Sequence, residues 1–117
     1  MITNRATCIK VRTNLVHYNL WSDVSLVEFE EETLHEKLML LKGKNPKSEE
    51  ENSNGYDYVL PVLKQTKLTL QDIDLIFQHL TEMEGYEVGK IVLGIMDFDG
   101  TVVYYNIHPG VQKPKNS

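Results

Sequence analysis

Residues able to do chemistry are few and scattered in this sequence. Its four histidines, His17, His35, His79 and His108, stand far apart, with no cysteine or carboxylate pattern at ligand spacing beside any of them. A zinc-type ion needs several such donors converging, so no metal site and no cofactor is expected. Cys8 is the single cysteine, which excludes an internal disulfide and fits a reducing, intracellular compartment. Two carboxylates come close together in Asp97-Phe98-Asp99-Gly100. On composition alone that string is a solvated hairpin turn, because aspartate accepts hydrogen bonds from nearby backbone N–H groups and glycine tolerates positive φ.

Charge narrows the choice further. With 12 Lys and Arg against 17 Asp and Glu, the formal charge is −5 and the pI about 5.3. A protein that holds a phosphate backbone by itself ordinarily presents a basic face, so any nucleic-acid contact should be local or shared. The glutamate runs at 30–32 and 49–51 are expected to keep loops hydrated. At 117 residues, with 41% hydrophobic side chains, the chain suits one domain with one core. The apolar runs Leu38–Leu41 and Ile91–Met96 fall far short of the roughly 18 residues of a membrane span, and no secretory signal is visible at the N-terminus.

The elements that must position these groups follow from periodicity. Ile2, Ala6, Ile9, Thr13, Val16 and Leu20 recur at steps of four and three, one stripe of a first helix that Trp21 closes. Val24–Phe29 alternates with a shift, which fits a strand containing a bulge or bend, and Leu38–Leu41 reads as a second strand. Residues 42–55 read as a long flexible loop. Tyr56–Leu63 has strand composition, but Pro61 cannot donate a ladder hydrogen bond and is expected near an edge or bulge. Thr69 and Asp72 form a capping box with the shorter acid. Leu70, Ile73, Ile76, Phe77, Leu80 and Met83 then mark one face of a second helix that Gly85 ends. Asp99-Gly100 joins Ile91–Met96 to Thr101–Ile107 as a tight hairpin, in which Tyr104 and Tyr105 take opposite faces. Ile91–Met96 is apolar at nearly every position, so both of its faces should be covered by helices. The expected fold is a single α/β domain over 1–111 with a central mixed or antiparallel sheet flanked by helices and a C-terminal hairpin. A polar, basic tail follows at 112–117.

The block KIVLGIMDFDGTVVYYNIHPGVQKPK, from Lys90 to Lys115, resembles the C-terminal signature of tRNA-splicing endonuclease subunits. Asn14–Tyr18, Trp21–Val24, Leu40–Lys44 and Val59–Val62 resemble, in the same order, the fungal form of the small non-catalytic subunit family, the Sen-fifteen type. The similarity spans nearly the whole chain and implies the tRNA-intron endonuclease catalytic-domain fold. Catalytic members of that group cleave RNA without metal, using a tyrosine, a histidine and a lysine as proton-transfer and phosphorane-stabilising groups. No histidine lies between His35 and His79, His79 falls on the second helix, and the family's lysine position aligns with Gly89, one step before Lys90. A one-residue shift on a strand reverses side-chain direction. Tyr56 or Tyr58 would sit near the ancestral tyrosine, and the resemblance therefore implies no catalytic residues here.

It also implies roles for the hairpin. The last strand, Thr101, Val102, Val103, Tyr104, Tyr105, Asn106 and Ile107, would pair with the smaller catalytic subunit, with Val103, Tyr105 and Ile107 as a dry contact face. Asp97, Phe98, Asp99 and Gly100 would form an acidic docking loop for a basic groove on a catalytic subunit, in a tetramer completed by the large non-catalytic subunit. Pre-tRNA would be met indirectly, with Lys113 and Lys115 as candidate phosphate contacts. The location implied is the nucleus or the cytosolic face of the mitochondrial outer membrane. Isolated, the chain is expected to homodimerise through the same strand. Two other readings stand beside this one: a ribonuclease with a displaced site using Tyr56 or Tyr58, a displaced histidine and Lys90, and an unrelated homodimeric α/β scaffold.

Overall fold

A computed structural model describes residues 3–31, 36–46, 55–85 and 88–108. Their order is α1 (Arg5–His17), β1 (Ser22–Glu31), β2 (Glu36–Lys44), β3 (Asp57–Leu63), α2 (Leu70–Glu84), β4 (Ile91–Met96) and β5 (Val102–Ile107). The strands form one five-stranded sheet in the order β1-β2-β3-β4-β5. Neighbours are antiparallel except β3 and β4, which run parallel because α2 carries the chain back across the sheet between them. This is the mixed sheet of an α/β domain.

Helix ends follow local chemistry. Asn4 caps α1, its side chain accepting the Thr7 N–H at 2.8 Å. At α2 the expected capping box is complete: Thr69 Oγ1 accepts the Asp72 N–H at 3.0 Å, and Asp72 Oδ2 accepts the Thr69 N–H at 3.1 Å. Gly85 stops the helix at φ 85°, a conformation in which a side chain would be strained.

Strand alternation divides the core between the two sheet faces. On the α2 face, Leu38, Leu40, Tyr58, Leu60 and Ile91 pack beneath Ile76, Phe77 and Leu80, as the helix periodicity predicts, while the terminal Leu70 and Met83 stay exposed. On the opposite face, Met39, Leu41, Val59 and Val92 pack beneath α1. The parallel-paired β4 thus contributes to both cores, as its unbroken apolar run requires.

Three expectations are corrected. First, α1 buries Thr7, Cys8, Val11 and Leu15, whereas Ala6, Ile9, Thr13 and Leu20 of the stripe read from the sequence face solvent; Ile2 lies outside the described residues. Apolar residues recur at helical spacing on both sides of this helix, and the side that packs is the one that meets Met39, Leu41, Val59 and Val92, with Val11 over Gly94. A Cβ there would lie 3.5 Å from Val11 Cγ1 and 3.2 Å from Val59 Cγ1. Second, Lys42, Gly43 and Lys44, read as loop, complete β2, paired to Tyr58, Asp57 and Ser22 respectively on one side or the other; residues 47–54 lie outside the described residues. Gly43 is where Trp21 and Val24 close in, its absent Cβ lying 2.9 Å from Val24 Cγ2. Third, Pro61 sits in the central strand and not near an edge or bulge: it pairs with Gly94 of β4, and the β2–β3 ladder has already ended at Leu41↔Val59, so the missing N–H interrupts no pair with β2. Where that ladder stops, Thr3 Oγ1 accepts the Met39 N–H at 3.0 Å and satisfies it.

The expected irregularity in β1 is a bulge between Ser22 and Ser25, which face Lys44 and Lys42, with Asp23 at φ 53°.

Candidate functional site

The hairpin is built around a β-turn. Gly100 donates its N–H to the Asp97 carbonyl at 3.1 Å, the Asp97 N–H reaches the Thr101 carbonyl at 2.8 Å, and Gly100 adopts φ 90°. Both aspartates serve this turn. Asp97 Oδ1 accepts the Phe98 N–H at 2.7 Å, and its Oδ2 lies 3.4 Å from Lys64 Nζ. Asp99 Oδ1 accepts the Thr101 N–H at 3.0 Å, and these Thr101 hydrogen bonds hold its carboxyl below the ordinary value, so it stays ionised. Between them Phe98 is 88% exposed, a large apolar ring at a negative tip with no core to enter.

β5 is an edge strand of a particular kind. Tyr104 turns inward: its ring packs in the α1 cluster and its hydroxyl donates to Asn14 Oδ1 at 2.7 Å. Burial pushes this phenol up to about 12, opposed in part by a hydrogen bond from Asn19. On the other face Ile107 packs against the α2 core, but Val103 is exposed and Tyr105 is 55% exposed, beside the half-buried Leu93 and Ile95 of β4. Val102–Ile107 contains no charged residue and no proline. The other edge, β1, carries a bulge and the exposed carboxylates of Glu28 and Glu30. Bulges and charges are how edge strands resist pairing, and β5 has neither.

The residues named for a displaced ribonuclease do not converge on solvent. Lys90 is 4% exposed and its ammonium lies 3.3 Å from Asp57 Oδ2, which also accepts from Asn45 Nδ2 at 3.3 Å. Tyr58 is fully buried, and His79 stacks on Phe29 with centroids 4.2 Å apart. Tyr56 lies under Lys42 Nζ, 4.8 Å from its ring centroid, and that ammonium is held by Glu84 Oε1 at 2.8 Å. The Asp57–Lys90 pair was not anticipated from the sequence. Only the strand pairings that bring the start of β3 beside the start of β4 unite residues 33 positions apart, and no local pattern announces that. Lys113 and Lys115 lie outside the described residues.

With this geometry in view, the comparisons with known proteins agree with one another. The family model described as Sen15 protein matches residues 10–117. The tRNA-splicing endonuclease subunit SEN15 of Eremothecium gossypii is 34% identical over 113 residues, covering 92% of this chain and 87% of the relative. A match over nearly the full length of both chains, with β5 and its turn inside it, shows that this chain belongs to the Sen15 family.

Proposed function

We propose that this chain is a non-catalytic structural subunit of a tRNA-splicing endonuclease, a variant of the catalytic-domain fold that pairs through Thr101–Ile107 with the smaller catalytic subunit. The unguarded β5 edge is the observation that carries the reading. Six uncharged residues, paired only with β4 among the described residues, and with Val103 and Tyr105 exposed alongside, offer a partner strand both hydrogen bonds and an apolar seam. The exposed Phe98 between Asp97 and Asp99 supports the hairpin tip as a second contact, inserted into a basic groove of another catalytic subunit in a heterotetramer. That assembly would excise introns from pre-tRNA, leaving 2′,3′-cyclic phosphate and 5′-hydroxyl ends, in the nucleus or on the cytosolic face of the mitochondrial outer membrane. Pairing of Lys90 with Asp57 supports assigning the cleavage chemistry to the partners, because a cation committed to a buried carboxylate is not available to a phosphorane.

The test is co-expression with the two catalytic subunits and the large non-catalytic subunit. Wild type should pair and support pre-tRNA cleavage, whereas Tyr105→Asp, which sets a charge in the apolar seam, should stay folded and do neither. Wild-type protein that ignores these subunits, or cuts pre-tRNA alone, refutes the proposal.

A further inference from the structure

The stripe read from the sequence of α1 remains unexplained by the fold. Ile9 is 54% exposed and Leu20, just past the helix, 67% exposed; Ala6 and Thr13, one turn either side of Ile9, are also exposed, with Val16 half-buried. Ala6, Ile9, Thr13 and Val16 keep helical spacing, and among the described residues neither Ile9 nor Leu20 joins a core cluster. Lys10 and Arg12 flank the ridge on its two sides, without an ion-pair partner among the described residues, and Arg5 reaches only the partly exposed Glu28, at 3.8 Å. Residues 1–22 contain three Lys and Arg and no Asp or Glu, in a chain whose net charge is −5. The surface is therefore both apolar and locally cationic, against the sign of the molecule.

We infer that the outward face of α1 is a second docking surface, whose occupant is a partner polypeptide segment with an apolar strip flanked by carboxylates. The apolar ridge supplies the contact area and the cations on either side select for acid, the arrangement by which an amphipathic segment is recognised and oriented. Two unpaired cations beside aliphatic side chains suit this better than RNA, which would leave Ile9 and Leu20 against phosphates and ribose. The inference rests on the subunit reading for the source of the segment, another subunit of the endonuclease, but uses a surface separate from the hairpin edge.

The experiment compares full-length wild type with Ile9→Asp/Leu20→Asp and Lys10→Glu/Arg12→Glu, each co-expressed with the other three endonuclease subunits, and with Tyr105→Asp as the control for the β5 edge. All four substituted positions are exposed, so melting temperatures should match wild type, and a circular-dichroism melt checks it. Retention in the purified assembly should fall at least about tenfold for both α1 variants. Wild-type retention should be tested on each of the other three subunits alone, and on the one that the α1 variants fail to hold it should weaken between about 0.1 M and 1 M salt, as the screening length shrinks from about 10 Å to 3 Å. Unchanged retention overturns the inference while leaving the β5 reading intact if Tyr105→Asp alone disrupts pairing. Loss of pre-tRNA binding, of flotation with phosphatidylserine vesicles, or of self-association, with subunit retention unchanged, would reassign the face to RNA, membrane or a second copy and likewise overturn it. Wild type that assembles with no subunit overturns both readings.

Discussion

Removing one member of the Asp57–Lys90 pair should be far more damaging than removing both. The two side chains are 2% and 6% exposed, with nitrogen and oxygen 3.3 Å apart. At an effective dielectric constant of about 20 that separation corresponds to about 5 kcal/mol of attraction, offset by several kcal/mol of desolvation for each ion. Little net stability is then left in the pair itself, especially because Asp57 Oδ1 has no hydrogen-bond partner among the described residues. Lys90→Met, however, strands a buried carboxylate and Asp57→Leu strands a buried ammonium, each costing about 3–5 kcal/mol. For a domain of this size 1 kcal/mol moves the melting temperature by about 4–8 °C, so each single variant should melt at least about 12 °C below wild type. Asp57→Leu/Lys90→Met strands neither charge and should recover most of either single loss, stopping about 1–3 kcal/mol short of wild type because Leu is bulkier than Asp and leaves Asn45 without this acceptor. Calorimetry or urea unfolding of the four proteins closes the cycle. If the single losses simply add in the double variant, the two groups are not coupled and the reasoning fails.

Other expectations follow from the same geometry. Gly94→Val puts a branched side chain where Val59 Cγ1 and Tyr104 Cε1 already lie 3.2 and 3.3 Å from a Cβ, and should cost about 1–3 kcal/mol, read by urea titration. Thr69→Ala removes half of the capping box and should cost about 1 kcal/mol, with Thr69→Ser restoring most of it. Tyr104 titrates near 12 when folded and near 10 when unfolded, so the unfolded chain loses the proton first as pH rises. Its contribution to stability is complete below about pH 10 and declines up to pH 12, and Tyr104→Phe should flatten that part of the stability profile. Burial likewise raises the Cys8 thiol to about 11, so a thiol reagent at neutral pH should label it only as fast as the domain opens.

Features set by neighbouring residues were legible in the sequence. The Thr69–Asp72 box, the Gly85 stop and the Asp97–Gly100 turn each depend on contacts spanning four residues or fewer, and all three stand in the structure. What escaped depends on distant partners. The buried face of α1 is set by the residues it meets on distant strands, Met39, Leu41, Val59 and Val92, and Pro61 is tolerated in the central strand because β2 diverges there. The hairpin was legible for a related reason, while a pairing role for its last strand came from the family resemblance. An uncharged edge strand beyond a polar turn is a local pattern, whereas the buried pairing of Lys90 with Asp57 arises only after the strands are assembled.

The distribution of polarity between the two sheet edges also bears on how such a chain survives before assembly. β1 carries its bulge and its carboxylates on the edge away from the hairpin, which closes that edge to strand addition. Among the described residues β5 is open, so an isolated copy has one adhesive edge and not two, and self-association through it stops at a symmetric pair in place of a growing sheet. The isolated protein should therefore sediment as a dimer at high concentration that Tyr105→Asp converts to monomer. A ladder of larger species would instead mean that β1 is not protected, and the proposed asymmetry of the edges would be wrong.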